Sequence, residues 1–238
     1  PPLLTGSGRF AADIDFPHQL HMRVVRSPYA HATITAIDTE AARAMDGVVA
    51  VWTADDIGDI PPIDFREGHV EALAPYRQYV LARARVRYVG EPVAVVFAED
   101  AYLAEDAAEL VTVAADALPV VMSTDEEPGE FAPGVSTEAA IVEQAYGDLD
   151  AAFAAAHTVV EVDVRVGRHS GVPLEGRGAI ARLDAARDVL ELHGAAKVPH
   201  RNREALAAMF GRSLAAVHVY ECHIGGGFGV RGELYPED

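Results

Sequence analysis

Pro92-Val-Ala-Val-Val-Phe-Ala98 is a stretch of strand length with no polar break. Successive strand side chains point to opposite sides, so a strand with one wet face would alternate; an unbroken apolar run needs cover on both faces. The next residues offer that cover. Asp100 stands where an N-cap belongs, and Ala101–Val111 reads as a helix with Leu103, Ala107, Leu110 and Val111 on one face. A return strand is predicted near Val111–Val113 and Pro119–Val121, and Leu20–Arg26 and Val48–Thr53 read as earlier strands. Strand, helix and return strand together predict a layered unit of mixed α and β structure.

From Ser123 to Thr137 the composition shifts to Asp, Glu, Pro, Gly and Ser around Asp125-Glu-Glu-Pro-Gly-Glu130, the pattern of a linker. The reading is a domain over residues 1–122, a linker over 123–137 and a second domain over 138–238. In the latter, Asp148–Ala156 is a short alanine-rich helix. His157–Arg168 alternates, with Val160, Val162, Val164 and Val166 on one face and Glu161, Asp163 and Arg165 on the other, which predicts a half-buried strand. Gly178–Leu183 and Val189–His193 form a hairpin around Asp184–Asp188. Pro199 opens a helix through Phe210 that Gly211 ends, and strand Val217–Glu221 closes the order. The fold class is α+β.

That last strand leads into Gly225-Gly-Gly-Phe-Gly-Val-Arg-Gly232. Four glycines in five positions remove nearly every Cβ, so the backbone can turn at positive φ and bring consecutive N–H groups against a phosphate or another oxyanion. Phe228 inside such a turn either packs beneath the loop or walls a pocket. The plain alternative is a tight structural turn. Glycine's conformational entropy predicts poor order from Gly225 to Asp238 while no ligand or neighbouring domain covers the loop. The letters G-x-G-x-x-G also occur at Gly227–Gly232, but a dinucleotide fingerprint opens a helix, and here Pro236 interrupts one within its first turn or two.

Charge and cysteine content narrow the chemistry. Thirty-seven acidic against nineteen basic residues give a formal charge of −18. This argues against a nucleic-acid partner and requires that an anionic ligand be held by local amides. No run of about 18 apolar residues suggests a membrane span, and no basic-then-apolar leader opens the chain, so a cytoplasmic address is the default expectation. The single Cys222 excludes an internal disulfide and any CxxC site, so iron–sulfur chemistry would lie on another chain; within Val217–Ile224 its thiol reads as buried and inert. The ten histidines form no ligand set, and Ser170 lacks the flanking glycines of a nucleophile elbow. Glu91 and Glu175, carboxylates at strand edges, read as solvated or Arg-paired structural residues.

Four segments resemble, in order, motifs of the molybdenum-binding large subunit of the xanthine dehydrogenase, aldehyde oxidase and aerobic carbon monoxide dehydrogenase family. They are Gly6-Ser-Gly-Arg-Phe10, Val25-Arg-Ser-Pro-Tyr-Ala-His31, Val86-Arg-Tyr-Val-Gly-Glu-Pro-Val-Ala94 and Gly225-Gly-Gly-Phe-Gly229. The resemblance implies an α/β hammerhead domain followed by the start of a molybdopterin-binding domain. It implies hydroxylation of a small molecule, an aldehyde or N-heterocycle, with water as oxygen source and a molybdenum–molybdopterin cofactor, for which a cytosine dinucleotide form is one option. Electrons would leave through iron–sulfur clusters and FAD on partner subunits. Gly226, Gly227, Phe228 and Gly229 match the loop that approaches metal and pterin, with Phe228 near the metal. Where the family often carries a glutamine that reaches the metal centre, this chain has Ala195-Ala-Lys197, which makes Lys197 the residue at that place. Gly232 stands where xanthine-oxidising members have an acidic residue, which weakens a purine substrate. Family large subunits are much longer, so the catalytic residues are expected beyond residue 238, in the remainder of the subunit. The competing readings are a non-catalytic binding or assembly module and, on the G-x-G-x-x-G letters alone, a nucleotide-binding dehydrogenase.

Overall fold

The computed structural model describes residues 2–65, 70–167, 169–194 and 196–238. In chain order its regular elements begin with β1 (His21–Arg26), β2 (Ala32–Asp38), α1 (Glu40–Arg43), β3 (Val48–Thr53), β4 (Arg85–Val86), β5 (Pro92–Ala98), α2 (Ala101–Glu109) and β6 (Thr112–Ala117). There follow β7 (Glu130–Ala132), β8 (Val135–Ser136), α3 (Leu149–Ala155), β9 (Ala179–Asp184), β10 (Val189–Gly194), α4 (Pro199–Met209) and β11 (Val217–Glu221).

β5 is the centre of an antiparallel sheet ordered β1-β5-β3, and both its faces are covered, as its unbroken apolar run requires. On one face Ala94 and Val96 pack with Val51, with Ala42 of α1 and with Ala107 of α2. On the other, Val93 packs with Ala32 of β2 and Val86 of β4, in a second sheet ordered β4-β2-β6. Asp100 caps α2 by accepting from the N–H groups of Tyr102, at 2.8 Å, and Leu103, at 3.3 Å. The buried side of α2 differs slightly from the periodic reading: Ala104 and Ala107 are fully covered, while Leu110 is exposed. Small residues win those positions because the helix lies close on β1 and β5, leaving no room for leucine there.

The second half is built around a sheet ordered β9-β10-β11, with β9 antiparallel and β11 parallel to the central strand. The parallel pair is joined across α4, whose Leu206 and Ala207 pack on Leu192 and Val217; Leu234, beyond the glycine loop, joins the same cluster.

Two predicted strands are absent. No strand occurs at Pro119–Val121; proline has no N–H to give a ladder, and the return strand is β6 instead. None occurs over the described residues of His157–Arg168 either, Arg168 itself lying outside them, and Val160, Val162, Val164 and Val166 are exposed. Alternation selects the faces of a strand, but only a neighbouring strand supplies hydrogen-bond partners, and none lies alongside here among the described residues. Residues 123–137 carry the β7–β8 hairpin, which is tied back by the Tyr76 hydroxyl donating to the Ser136 carbonyl at 2.6 Å and by Arg85 pairing with Glu130 at 3.0 Å.

Candidate functional site

β11 runs out beside β10 and the pairing continues one step further, Cys222 N–H donating to the Gly194 carbonyl at 3.3 Å. Next, His223 N–H donates to the Arg9 carbonyl at 2.9 Å, and Arg9 N–H donates to Nδ1 of His223 at 3.0 Å. The first glycine-containing motif of the sequence is thereby stitched to the strand that feeds the last one. The Cys222 thiol, half-buried where the sequence predicts full burial, is raised above its ordinary pKa by burial and by the charge of Glu175 nearby, so at neutral pH it stays protonated.

The loop then turns at Gly226, φ 119°, Phe228, φ 47°, and Gly229, φ 90°. For a phenylalanine a positive φ is an outlier, held here by the short turns on its far side: Val230 N–H donates to the Gly227 carbonyl at 3.0 Å and Gly232 N–H to the Gly229 carbonyl at 3.1 Å. A Cβ at Gly227 or Gly229 would meet nothing within 4 Å. Among the described residues, the N–H groups of Gly226, Gly227, Phe228 and Gly229 donate to no protein acceptor. Four successive amides are thus left unspent by the protein, the condition a backbone must meet to hold an anion. Phe228 is 77% exposed, so the ring is not part of the core beneath the loop.

What holds this loop was not legible as a site. Along residues 171–175, Gly171, Pro173 and Glu175 face the glycine loop while Val172 and Leu174 are exposed. A Cβ at Gly171 would lie 2.6 Å from Cβ of Phe228; a Cβ at Gly226 would lie 2.8 Å from Cβ of Pro173; and Glu175 Oε2 accepts Gly225 N–H at 2.7 Å. Arg231, 2% exposed, closes the far side. Its Nε donates to the Gly226 carbonyl at 2.7 Å, and its Nη2 to the carbonyls of Glu175, at 2.6 Å, and Gly176, at 3.1 Å, and to Glu175 Oε2 at 3.1 Å. Glu175 is thus Arg-paired, as is Glu91, fully buried against Arg87 at 2.8 Å.

Leu234 in the core and Arg177, paired to Asp238 and lying 4.0 Å from the Tyr235 ring centroid, add further anchors between Gly225 and Asp238. Counting only the entropy of the glycines leaves out the buried guanidinium beside them. The spacing of Gly171, Pro173 and Glu175 at alternate positions was the one available signal. Lys197 comes to the same place through its backbone, its N–H donating to the Arg231 carbonyl at 3.3 Å while its side chain is exposed; the neighbouring Ala195 lies outside the described residues. No helix opens after Gly232, which removes the dinucleotide-fingerprint reading.

Comparison with known proteins agrees with this arrangement. Residues 5–119 match the aldehyde oxidase and xanthine dehydrogenase a/b hammerhead domain, and residues 132–238 match the molybdopterin cofactor-binding domain. The chain is 42% identical to the 6-hydroxypseudooxynicotine dehydrogenase complex subunit gamma of Paenarthrobacter nicotinovorans, over 99% of this chain and 30% of that one. It is 37% identical to the nicotine 6-hydroxylase large subunit of the same organism, over 99% of this chain and 29% of that one. Quinoline 2-oxidoreductase from Pseudomonas putida 86 superimposes with a TM-score of 0.85 at 31% identity, over 99% of this chain and 30% of that structure. The chain therefore spans about 30% of the length of these relatives. With both domain models in order over nearly its whole length, the chain belongs to the xanthine dehydrogenase and aldehyde oxidase family of molybdenum-binding subunits.

Proposed function

We propose that this chain is the N-terminal portion of a molybdenum hydroxylase catalytic subunit. The observation that carries the reading is the row of unspent amides from Gly226 to Gly229 beside an exposed aromatic ring. In a chain of formal charge −18, a polyanionic pterin needs local donors, and open space over Gly227 and Gly229 lets it approach the backbone closely. The residues present fit the group. When bound, a molybdenum–pterin cofactor supplies two-electron oxidation with oxygen drawn from water. The loop amides would hold its anionic oxygens, Phe228 would wall the metal side, and Lys197 would add a cation at the base of the loop.

The residues that handle substrate are proposed to lie in the part of the relatives' length that this chain does not span. On the same reading the substrate is an aldehyde or N-heterocycle, the pterin is molybdopterin, for which the cytosine dinucleotide form is one option, and electrons pass to iron–sulfur and FAD subunits. The setting proposed is the cytoplasm; no helix among the described residues is long and apolar enough to cross a membrane. The test is metal and pterin analysis of the native subunit with whatever chains accompany it. Stoichiometric molybdenum with pterin is expected. Finding neither would support a non-catalytic assembly module and overturn the reading.

A further inference from the structure

We infer that Glu175 and Arg231 are positioning residues that aim the glycine loop's amides at the cofactor, and that Gly171 is the seat that sets the Phe228 ring. The inference rests on the functional reading above. In a trans peptide the C=O and the following N–H point in opposite directions. Arg231 draws the Gly226 carbonyl inward at 2.7 Å, so the Gly227 N–H must face outward, into the open space above it. The turn bond from Val230 N–H does the same to the Gly227 carbonyl, which turns the Phe228 N–H outward. Glu175 consumes the Gly225 N–H at 2.7 Å, leaving the donor row to begin at Gly226. A single planar fork reaches the Gly226 carbonyl, the Glu175 carboxylate and the 175–176 backbone at once. A lysine ammonium, with one nitrogen, cannot span those acceptors.

The carboxylate keeps that buried guanidinium paired, and its second oxygen lies 3.4 Å from the Ala11 N–H, so the device also touches the N-terminal domain. Gly171 acts separately. Any side chain there would strike the Phe228 Cβ, which the backbone fixes, so the chain at Phe228 would have to shift and carry the ring with it.

The test uses the native subunit as wild type and as Arg231→Lys, Glu175→Gln and Gly171→Ala. In cofactor-free protein, hydrogen exchange at the bonded amides of Gly225, Val230 and Gly232 should accelerate at least about tenfold in the first two variants, because the peptide planes are no longer held. Molybdenum and pterin affinity should fall about 10- to 100-fold, the usual effect of losing an outer partner of a metal site. Gly171→Ala leaves the ion pair intact, so exchange at Gly225 should stay at the wild-type rate while the backbone shifts at Phe228. In its loaded fraction turnover should drop roughly tenfold or more, with an altered Mo(V) spectrum. Variants that retain cofactor, spectrum and turnover at wild-type levels would overturn the inference while leaving the functional reading standing. So would an Arg231→Lys loss of cofactor that tracks global unfolding, if Gly171→Ala is also silent. A wild-type subunit free of molybdenum and pterin would instead overturn the functional reading, with the exchange data still deciding whether the clamp exists.

Discussion

Replacing Phe228 by alanine separates a pocket wall from a core residue by which quantity moves. With 77% of the residue exposed, only about a quarter of the benefit of burying a phenylalanine, roughly 1.5–3 kcal/mol in full, is at stake, or about 0.5 kcal/mol. The strain of a positive φ, of order 1 kcal/mol, is the same for alanine and cancels. For a chain of this size about 0.5 kcal/mol shifts the melting temperature by about 1–2 °C. A core phenylalanine would cost about 3–5 kcal/mol and shift it by about 6–20 °C. Thermal unfolding, molybdenum content and steady-state turnover, measured on one preparation of the native subunit, give the comparison. Turnover or metal retention should fall while the melting temperature barely moves. A large thermal loss with unchanged specific activity of the folded fraction would refute the wall and return the ring to architecture.

Elsewhere the structure makes sharper demands on stability than on chemistry. Glu91→Ala strands the nearly buried Arg87 guanidinium and should cost about 3–5 kcal/mol in urea unfolding, whereas the joint change Arg87→Met with Glu91→Leu should cost far less. Asp100→Ala removes the cap of α2 and should lower stability by about 1 kcal/mol, with Asp100→Asn recovering most of it. The Asp56 carboxyl is held below its ordinary pKa, chiefly by the Thr53 N–H at 2.8 Å and further by Arg43 at 3.0 Å. A lowered carboxylate stabilises the fold above its unfolded pKa, about 4, and loses that contribution as pH falls through the folded value. Unfolding titrations between neutral pH and the acid range should therefore show a shallower loss for Asp56→Asn than for wild type; parallel curves would count against the linkage.

Much of the architecture is local enough to be written in the chain. The apolar run of β5 could only be a strand covered on both sides, and Asp100 and Pro199 mark helix starts because capping and φ preference act within a few residues. The glycines of 225–229 likewise declare a backbone made for close approach, since the absence of Cβ is a property of composition alone. Period-two alternation in His157–Arg168 is equally local, and it misled: a strand is a relation between two segments, and the valines find no partner among the described residues. What the tertiary structure decided is how the loop is held. Arg231 and Glu175 lie far apart in sequence and carry no motif of their own, yet burial at one point makes the charge of each obligatory for the other. Gly171 is meaningful only because Phe228 occupies the space its side chain would need, a steric fact that exists once the chain has folded back upon itself.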